Sequence, residues 1–539
     1  MMVYETAHDL VMVDCGVLFP TVEEPGIDYV VPDIRYILQR KRKFRGIVLT
    51  HGHEDHVGAL PFLLPMLGET SLWGTRFTSA LVRRKLEEFP DIAANVLVIE
   101  DNKPFRAGRL TMTPHAVTHS IPDSVGLAID TPVGKVVHTG DFKLDPTPLD
   151  GRPTDQAAFR RLGDEGVVLL CSDSTNSLKP GRTYSEREVH GEVARVIKGA
   201  KQRVFFTTFA SHIDRIQAVC DAAEAAGRKV LPLGRSMRNN IGTARDVGVL
   251  KAKPSLFIPL EAFPSTRPEQ VVVLASGSQG EPFSSMSRIS QATYEPIEID
   301  AGDMVVFSSR KIPGNERAIS TLANSLVRQG AYIVGDHEAR VHSSGHAFAD
   351  EQADMIDWCR PQAMLPIHGE LRHLVVHGEL ARAHGVAAER VFVHEDGWPL
   401  LLVKDGGEVQ YHREPRVDAG LLFVDGKGVG DIGEIVLRDR KQLSEAGIVA
   451  CVVVLTHERR LALPPTIVTR GTVYVDENEA LLERATNGVR QQIEAEAPTH
   501  NDDLRELIRR NLRRFFKQTL GRKPMVVPVV LVLPSSCCD

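Results

Sequence analysis

The chain has 539 residues, 42% hydrophobic and 25% charged; these proportions exclude disordered and fibrous classes, and the length calls for roughly two to four domains. Lys and Arg number 64 against 70 Asp and Glu, a net charge of -6, which excludes a uniformly basic nucleic-acid coat but leaves room for a basic groove. Seven scattered cysteines (Cys15, Cys171, Cys220, Cys359, Cys451, Cys537, Cys538) include no C-x-x-C pair and read as reduced thiols, with Cys15 and Cys171 buried in apolar runs. No apolar run approaches the roughly 18 residues of a membrane span, and the N-terminus lacks the basic region of a signal peptide. A cytoplasmic protein without membrane contact is expected.

In chain order, short apolar runs at 11–14, 47–50, 136–138 and 167–171 predict buried strands, and 128–137 predicts a hairpin turning at Thr131-Pro132-Val133-Gly134. From about 177 to 340 a second α/β pattern begins with strand 203–208, helix 213–226, strand 229–233 and helix 237–250. Strand-to-loop joints at 271–280 and 304–316, helix 318–328 and strand 332–334 complete it, as in a Rossmann-like domain. Short strands and one helix, 371–384, follow from 341 to 412. The remainder predicts strands near 447–455 and 471–475, helices 477–496 and 502–520, and a last strand, 525–533.

Strand 47–50 runs into His51-Gly52-His53-Glu54-Asp55-His56. Imidazoles with carboxylates and no thiolate suit zinc or manganese. Alternation places His51 and His53 on one side, while Asp55 and His56, in the turn, reach a second position. His119, Asp141 and His368 each lie just past an apolar strand, where a fold can gather them at one sheet edge. An isolated His is most often a satisfied core or surface residue, and His115, His138, His190 and His377 are read that way. So dense a cluster rarely serves packing.

The motif resembles the H-x-H-x-D-H signature of the metallo-β-lactamase superfamily. The resemblance implies that His51, His53 and His119 hold one metal, that Asp55, His56 and His368 hold the other, and that Asp141 bridges them. Asp14, in Val13-Asp14-Cys15-Gly16, matches the supporting aspartate that orients ligands. Asp141 and His368 are 227 positions apart, and the insertion between them resembles the β-CASP module, with Asp173, His346 and His368 at its marker positions. Ser172–Asn176, Gly277-Ser278-Gln279-Gly280-Glu281-Pro282, Ile312-Pro313-Gly314-Asn315-Glu316 and Gly521-Arg522-Lys523-Pro524-Met525 narrow the resemblance to the bacterial ribonuclease J family.

The implied architecture is α/β: a metallo-β-lactamase αββα sandwich with an inserted Rossmann-like β-CASP domain and a small α+β C-terminal domain. The expected boundaries are 1–180 and 346–425 for the two parts of the sandwich, 181–345 for the insertion, 426–445 for a linker and 446–539 for the last domain. The implied activity is zinc-dependent hydrolysis of RNA phosphodiesters, 5′-to-3′ from 5′-monophosphate ends and with endonuclease cleavage besides. Two Zn2+ per subunit are implied, with Mn2+ or Mg2+ as alternatives. Asp55, Asp173 and His346 are the candidate catalytic residues.

Gly277, Ser278 and Gln279, joined by His342, Ser344 and His346, read either as a pocket for a 5′-phosphate or as an ordinary turn. Arg203, Arg215 and Arg235 read as surface charges or phosphate contacts. The basic face of helix 502–520 reads as solvated, or as a dimer or RNA contact. RNA, a homodimer or homotetramer, and other RNA-decay proteins are the implied partners. Two alternatives stand beside this: a β-CASP endonuclease without 5′-end sensing, and a catalytically silent RNA-binding scaffold. The chain differs from the family at Arg310 and Lys311, where a Ser/Pro-like pair is usual, and at His212, where Asn is usual. It also lacks the Gly-rich strand and turn ahead of Asp14, so a weakened sheet edge is expected.

Overall fold

Leu10, Val11, Met12 and Val13 are completely buried, which places the strand Leu10–Val13 inside a sheet rather than at its rim. In the computed structural model, which describes residues 1–534 apart from Val22, Pro313, Lys427, residues 474–477, Ala497 and Thr499, that sheet has five strands. Their order is Met2–Glu5, Leu10–Val13, Phe44–Val48, Thr70–Gly74 and Ala94–Val98, the first pair antiparallel and the rest parallel. A short strand, Met2–Glu5, therefore precedes Asp14 and forms the edge of this sheet. Val3 and Tyr4 favour extended backbone, and the turn closes through Thr6 N–H donating to Asp9 O at 2.7 Å.

A second sheet runs Met364–Ile367, Val167–Asp173, Gly134–His138, Val125–Thr131, Leu110–Ala116 and Phe105–Ala107. Its middle contains the expected hairpin, with Thr131 opposite Gly134. Val11, Val13 and Val48 of the first sheet share one core with Met112, Leu127, Ile129, Val136 and Leu169 of the second, so the sheets pack face to face. Phe159, Leu162, Met355 and Ile356 cover the outer face of the second sheet from helices Gln156–Glu165 and Ala349–Cys359. This is the αββα arrangement. Helix Ala349–Cys359 was not expected: its buried Ala353, Met355, Ile356, Trp358 and Cys359 crowd its second half, which hides the helical period in the sequence.

The insertion is a five-stranded parallel sheet in the order Lys229–Leu233, Val271–Ala275, Val204–Thr207, Met304–Phe307 and Tyr332–Val334. Alternation sends Phe206, Val272 and Leu274 into a core with Val193, Ile216 and Ile241. Phe205, Val271 and Val273 enter the opposite core with Ile289, Leu322 and Leu326. Helices thus cover both faces.

Two compact units emerge: Met1–Val17 with Pro32–Gly420, and Leu18–Val31 with Leu421–Asp539. The second unit contains the strands Tyr29–Pro32, Leu421–Asp425 and Gly428–Val429 in one sheet. The expected linker 426–445 is therefore structured, carrying Gly428–Val429 and most of helix Glu434–Ala446. Its sparse apolar residues, Ile435 and Val436 among them exposed, disguise it as a connector.

The last sheet places Ile448–Leu455 between Thr466–Arg470 and Met525–Val532, with helices Glu479–Glu496 and Asn501–Leu520 closing one face through Val489, Leu507, Ile508 and Phe516. The strand expected at 471–475 falls at Thr466–Arg470 instead, because Gly471 turns at φ 70°. Tyr474 and Val475 of that expectation, Glu477 of the expected helix, Pro313, Cys537 and Cys538 lie outside the described residues. The other five cysteines are buried thiols. No described helix is long and apolar enough to cross a membrane.

Candidate metal centre

Val48 closes the buried strand, and the chain continues through Thr50 into the His51–His56 motif, whose His53 caps the short helix Glu54–Val57. The Asp14 loop straps this turn down: Cys15 N–H donates to His56 O at 2.7 Å and Val17 N–H to Glu54 O at 3.1 Å. Gly16 is required there, since a Cβ would lie 1.5 Å from Asp55 O. Asp14 itself adopts φ 62° and His368 φ 54°, left-handed backbone that bulky residues hold only where their surroundings enforce it. Two of the expected ligating and supporting residues are thus held in strained conformations.

His51, His53 and His119 converge, with His51 Nε2 and His119 Nε2 at 3.0 and 3.1 Å from His53 Nδ1. Asp55, His56, Asp141 and His368 form a second group. Asp141 Oδ2 lies between them, 3.8 Å from His51 Nε2, 3.9 Å from His119 Nε2, 3.1 Å from His56 Nε2 and 3.6 Å from His368 Nε2. The structure therefore brings all seven expected ligand residues close together, and Asp141 and His368 also form a third group with Asp173 and His346.

The donor set fits metal ions. Three imidazole nitrogens about 3.3 Å apart are the edges of a tetrahedron with Zn–N near 2.05 Å, close to the spacing found. In four of the five rings the other nitrogen is committed elsewhere. His51 Nδ1–H donates to Thr50 Oγ1 at 3.1 Å, His56 Nδ1–H to Asp14 Oδ2 at 2.8 Å, His119 Nδ1–H to Gly345 O at 2.6 Å and His368 Nδ1–H to Thr175 Oγ1 at 2.8 Å. That leaves Nε2 of these four rings aimed inward, the nitrogen that metal ligation would use. His56 Nε2 is buried and has no hydrogen-bond partner among the described residues, an orphan that an ion would satisfy.

Burial, then the charges of neighbouring rings, pull His51 and His119 well below the usual imidazole range. Burial brings His53 down to about 4. Burial opposes the charge on His56, but Asp141, Asp14 and Asp55 prevail and push it up to about 10. Asp141 is held well below the ordinary carboxyl range, against burial, by His368 and His56. The carboxylates of Asp14, Asp55 and Asp141 thus favour positive charge at the second ligand group.

At the edge of the second group, His346 Nδ1–H donates to Asp173 Oδ2 at 2.8 Å, and Thr175 Oγ1 donates to Asp173 Oδ1 at 2.7 Å. The His346 ring stands 4.9 Å from that of His119 and 5.5 Å from that of His368, centroid to centroid. Sequence reasoning did not single out Thr50, Thr175 or the Gly345 carbonyl. Each adjoins a motif residue, which is the only trace they leave. His115, His138 and His377 hydrogen-bond through Nδ1 to Asn102, Tyr4 and Ser174, with Nε2 of His115 and His377 left without a partner among the described residues, and His190 pairs with Asp221.

The candidate phosphate residues are only partly convergent. Gly277 has φ 107°, and a Cβ there would meet Ser284 Oγ at 2.3 Å, so this turn needs glycine. Gln279 points inward: its Nε2 donates to Ser309 Oγ and Arg310 O, its Oε1 accepts from Ile312 N–H, and its own N–H reaches Glu281. It therefore holds a loop rather than presenting donors, because only 2% of it is exposed. Ser344 Oγ accepts from Asn176 Nδ2 at 2.8 Å, beside His346. His342 is pulled down to about 3 by burial and by Arg215.

Arg215 is neither a surface charge nor a phosphate contact. It is fully buried, pairing with Glu186 at 2.8 Å and donating to Ser308 and Val341 O. Arg203 pairs with Asp300 and Asp303, while Arg235 is exposed at the start of helix Arg235–Asp246. On helix Asn501–Leu520, Arg505 and Arg509 pair with Asp502 and Glu506.

Comparison with known proteins places these features in one family. Residues 201–326 match the ribonuclease J β-CASP domain and residues 435–533 the ribonuclease J C-terminal domain. Residues 22–171 match the β-lactamase superfamily domain, and 338–393 the Zn-dependent metallo-hydrolase RNA specificity domain. Ribonuclease J of Mycolicibacterium smegmatis is 40% identical over 534 residues, 98% of this chain and 94% of its own. Ribonuclease J of Thermus thermophilus is 40% identical over 98% of this chain and 92% of its own. Ribonuclease J2 of Bacillus subtilis is 36% identical over 98% of this chain and 95% of its own. Identity at this level over nearly the whole chain makes it a member of the ribonuclease J family of metal-dependent nucleases.

Proposed function

We propose that this chain hydrolyses RNA phosphodiesters with two zinc ions, 5′-to-3′ from 5′-monophosphate ends, and also cuts internally. The observation that carries the reading is the pair of ligand groups sharing Asp141, with the Asp173–His346 pair beside them. Two divalent ions bound there would bring the pKa of water toward neutrality and neutralise phosphate charge.

The chain's own residues do the rest. Asp14, Thr50, Thr175 and the Gly345 carbonyl fix the tautomer and orientation of four imidazoles. Asp173, fully buried, keeps His346 protonated at Nδ1. Although burial opposes it, the Asp173 charge raises the pKa of His346. His346 then offers positive charge and a donor to the phosphate oxygens, where charge builds as the P–O bond breaks. Asp55 and His368 complete the second ligand group from opposite loops. Family membership also carries a homo-oligomer acting in the cytoplasm into this reading.

Three substrates test it: RNA with a 5′-monophosphate, RNA with a 5′-triphosphate, and circular RNA, each with the metal-loaded enzyme. Preference for the monophosphate, with mononucleotide release, is expected. Equal cutting of all three favours an endonuclease without end sensing. His53→Ala and Asp141→Ala should abolish cleavage while RNA binding persists, and unchanged turnover in either would sink the proposal. Elemental analysis of the purified protein reads metal identity directly.

A further inference from the structure

Glu186 opens the helix Glu186–Gly199 of the insertion with its side chain buried. One carboxylate oxygen meets Arg215, from helix Ile213–Ala225, at 2.8 Å. The other meets Lys143, two residues past Asp141, at 3.1 Å. Both cations are buried as well. Burial opposes the charge of Glu186, yet Arg215, Lys143 and His212 hold its carboxyl well below the ordinary range. Taking three charges out of water is costly, and a well-packed apolar cluster of the same volume is often at least as stable. Stability alone is therefore a poor account of this hub.

Each arm of the hub ends on a loop of the metal centre. Arg215 donates to the Val341 carbonyl, which also accepts from Ser308 Oγ at 2.5 Å, at the root of the loop carrying Gly345 and His346. Lys143 N–H donates to Thr118 O at 2.8 Å and Thr118 Oγ1 to Lys143 O at 2.6 Å, clamping the Asp141 loop to the residue before His119. Glu186 N–H donates to Asp145 Oδ2 at 2.7 Å, and Asp145 N–H to Thr118 Oγ1 at 3.2 Å. The loops then meet one another: Ala347 N–H donates to Phe142 O at 2.6 Å, and His119 Nδ1–H to Gly345 O at 2.6 Å. The approach is close, since a Cβ on Gly345 would lie 2.8 Å from His119 Cε1.

We propose that Glu186 is a positioning residue of the reaction: through Arg215 and Lys143 it holds the loops of His119, Asp141 and His346 in register, so that His346 and the ligand groups act on one phosphate. The inference rests on the ribonuclease reading above. A carboxylate is needed because it takes a guanidinium and an ammonium at once, one on each oxygen. Arg215 is needed for its fork of donors, which reaches Glu186, Ser308 and Val341 together. A lysine there keeps the charge but lacks that planar array.

Arg215→Lys tests the hub with its charge preserved, and Glu186→Gln tests it with its shape preserved. In Arg215→Lys the kcat of the metal-loaded enzyme on RNA should fall by about 10–100-fold, the range for groups that orient a ligand, while affinity for a non-cleavable 2′-O-methyl RNA stays within about threefold. Glu186→Gln should lose at least as much, and Glu186→Asp should recover part of it. Zinc-loaded protein with 15N-labelled histidine gives a readout that a general loss of stability would not select. The His119 Nδ1–H, bonded to Gly345 O, should exchange with solvent about tenfold faster or more in Arg215→Lys, whereas the His56 Nδ1–H, bonded to Asp14, should exchange as in the wild type. If Glu186→Gln does not fold, Arg215→Lys and Glu186→Asp decide. Wild-type kcat in the folded variants would overturn the proposal and leave the hub a stabilising element alone. Equal acceleration of exchange at His119 and His56 would overturn it too, as would a loss of RNA affinity as large as the loss of kcat. Failure of the metal-loaded wild type to cut RNA would fail the ribonuclease reading instead, while the exchange at His119 still reads the hub.

Discussion

His346 donates from Nδ1 to Oδ2 of Asp173 at 2.8 Å, although the two lie 173 positions apart. Asp173 is fully buried, and Thr175 occupies its other oxygen. The pair thus presents a protonated imidazole next to the two ligand groups. Asp173→Asn keeps the shape but removes the charge that favours protonated His346. Its kcat on RNA should fall by about 10²–10⁴, the usual range for a positioned acid or donor, while binding of a non-cleavable RNA stays within about threefold.

Asp14→Ala removes an acceptor that serves the Thr50 N–H, the Thr50 hydroxyl and His56 Nδ1 at once, each at 2.8 Å. Loss of such a supporting group costs roughly 10–100-fold in metal affinity. Competition with a chromophoric chelator should show that weakening, with all seven ligands still in place.

Gly16→Ala should harm the centre without touching a ligand. The new methyl would meet the Asp55 carbonyl at 1.5 Å and His56 N at 2.6 Å, so the His51–His56 turn must shift. Destabilisation of about 1–3 kcal/mol is expected, and elemental analysis should find the metal content reduced. Normal metal content with normal thermal stability would contradict the strapped-turn geometry.

Asp214 gives a pH signature. It is 8% exposed and lines a cavity with Asp145, Asp150 and Glu186. Burial, then the charges of Asp150 and Glu186, push its carboxyl up to about 8 from the ordinary 3.8. The folded state holds this proton more tightly than the unfolded chain does. Stability from this group is therefore full below about pH 4 and is lost as pH rises toward 8. Urea unfolding at about pH 6 and about pH 8.5 should show Asp214→Asn more stable at the higher pH, by on the order of a few kcal/mol. Parallel pH curves for both proteins would count against it.

Much of the sandwich and the insertion was legible because burial enforces alternation. Strands such as Lys229–Leu233 and Val204–Thr207 lie in the sequence close to where the apolar runs place them. Elements with weak apolar signatures were not legible. Helix Ala349–Cys359 hides its period, and helix Glu434–Ala446 reads as a connector because its apolar side chains are largely exposed. Thr466–Arg470 was displaced in the reading because only pairing with Ile448–Leu455 decides its register.

By itself the sequence determined the ligand inventory, because ligation requires particular atoms and His51, His53, Asp55 and His56 leave one strand together. It also determined the family, whose motifs span the chain. Only the tertiary structure decided what each group faces. Asp141 lies between two sets of nitrogens, Arg215 is sealed against Glu186, and Gln279 turns inward to hold Arg310. Identity fixes which hydrogen bonds and charges a side chain offers, but whether they meet a partner, a solvent or a substrate depends on neighbours a hundred or more residues away, as with His346 and Asp173.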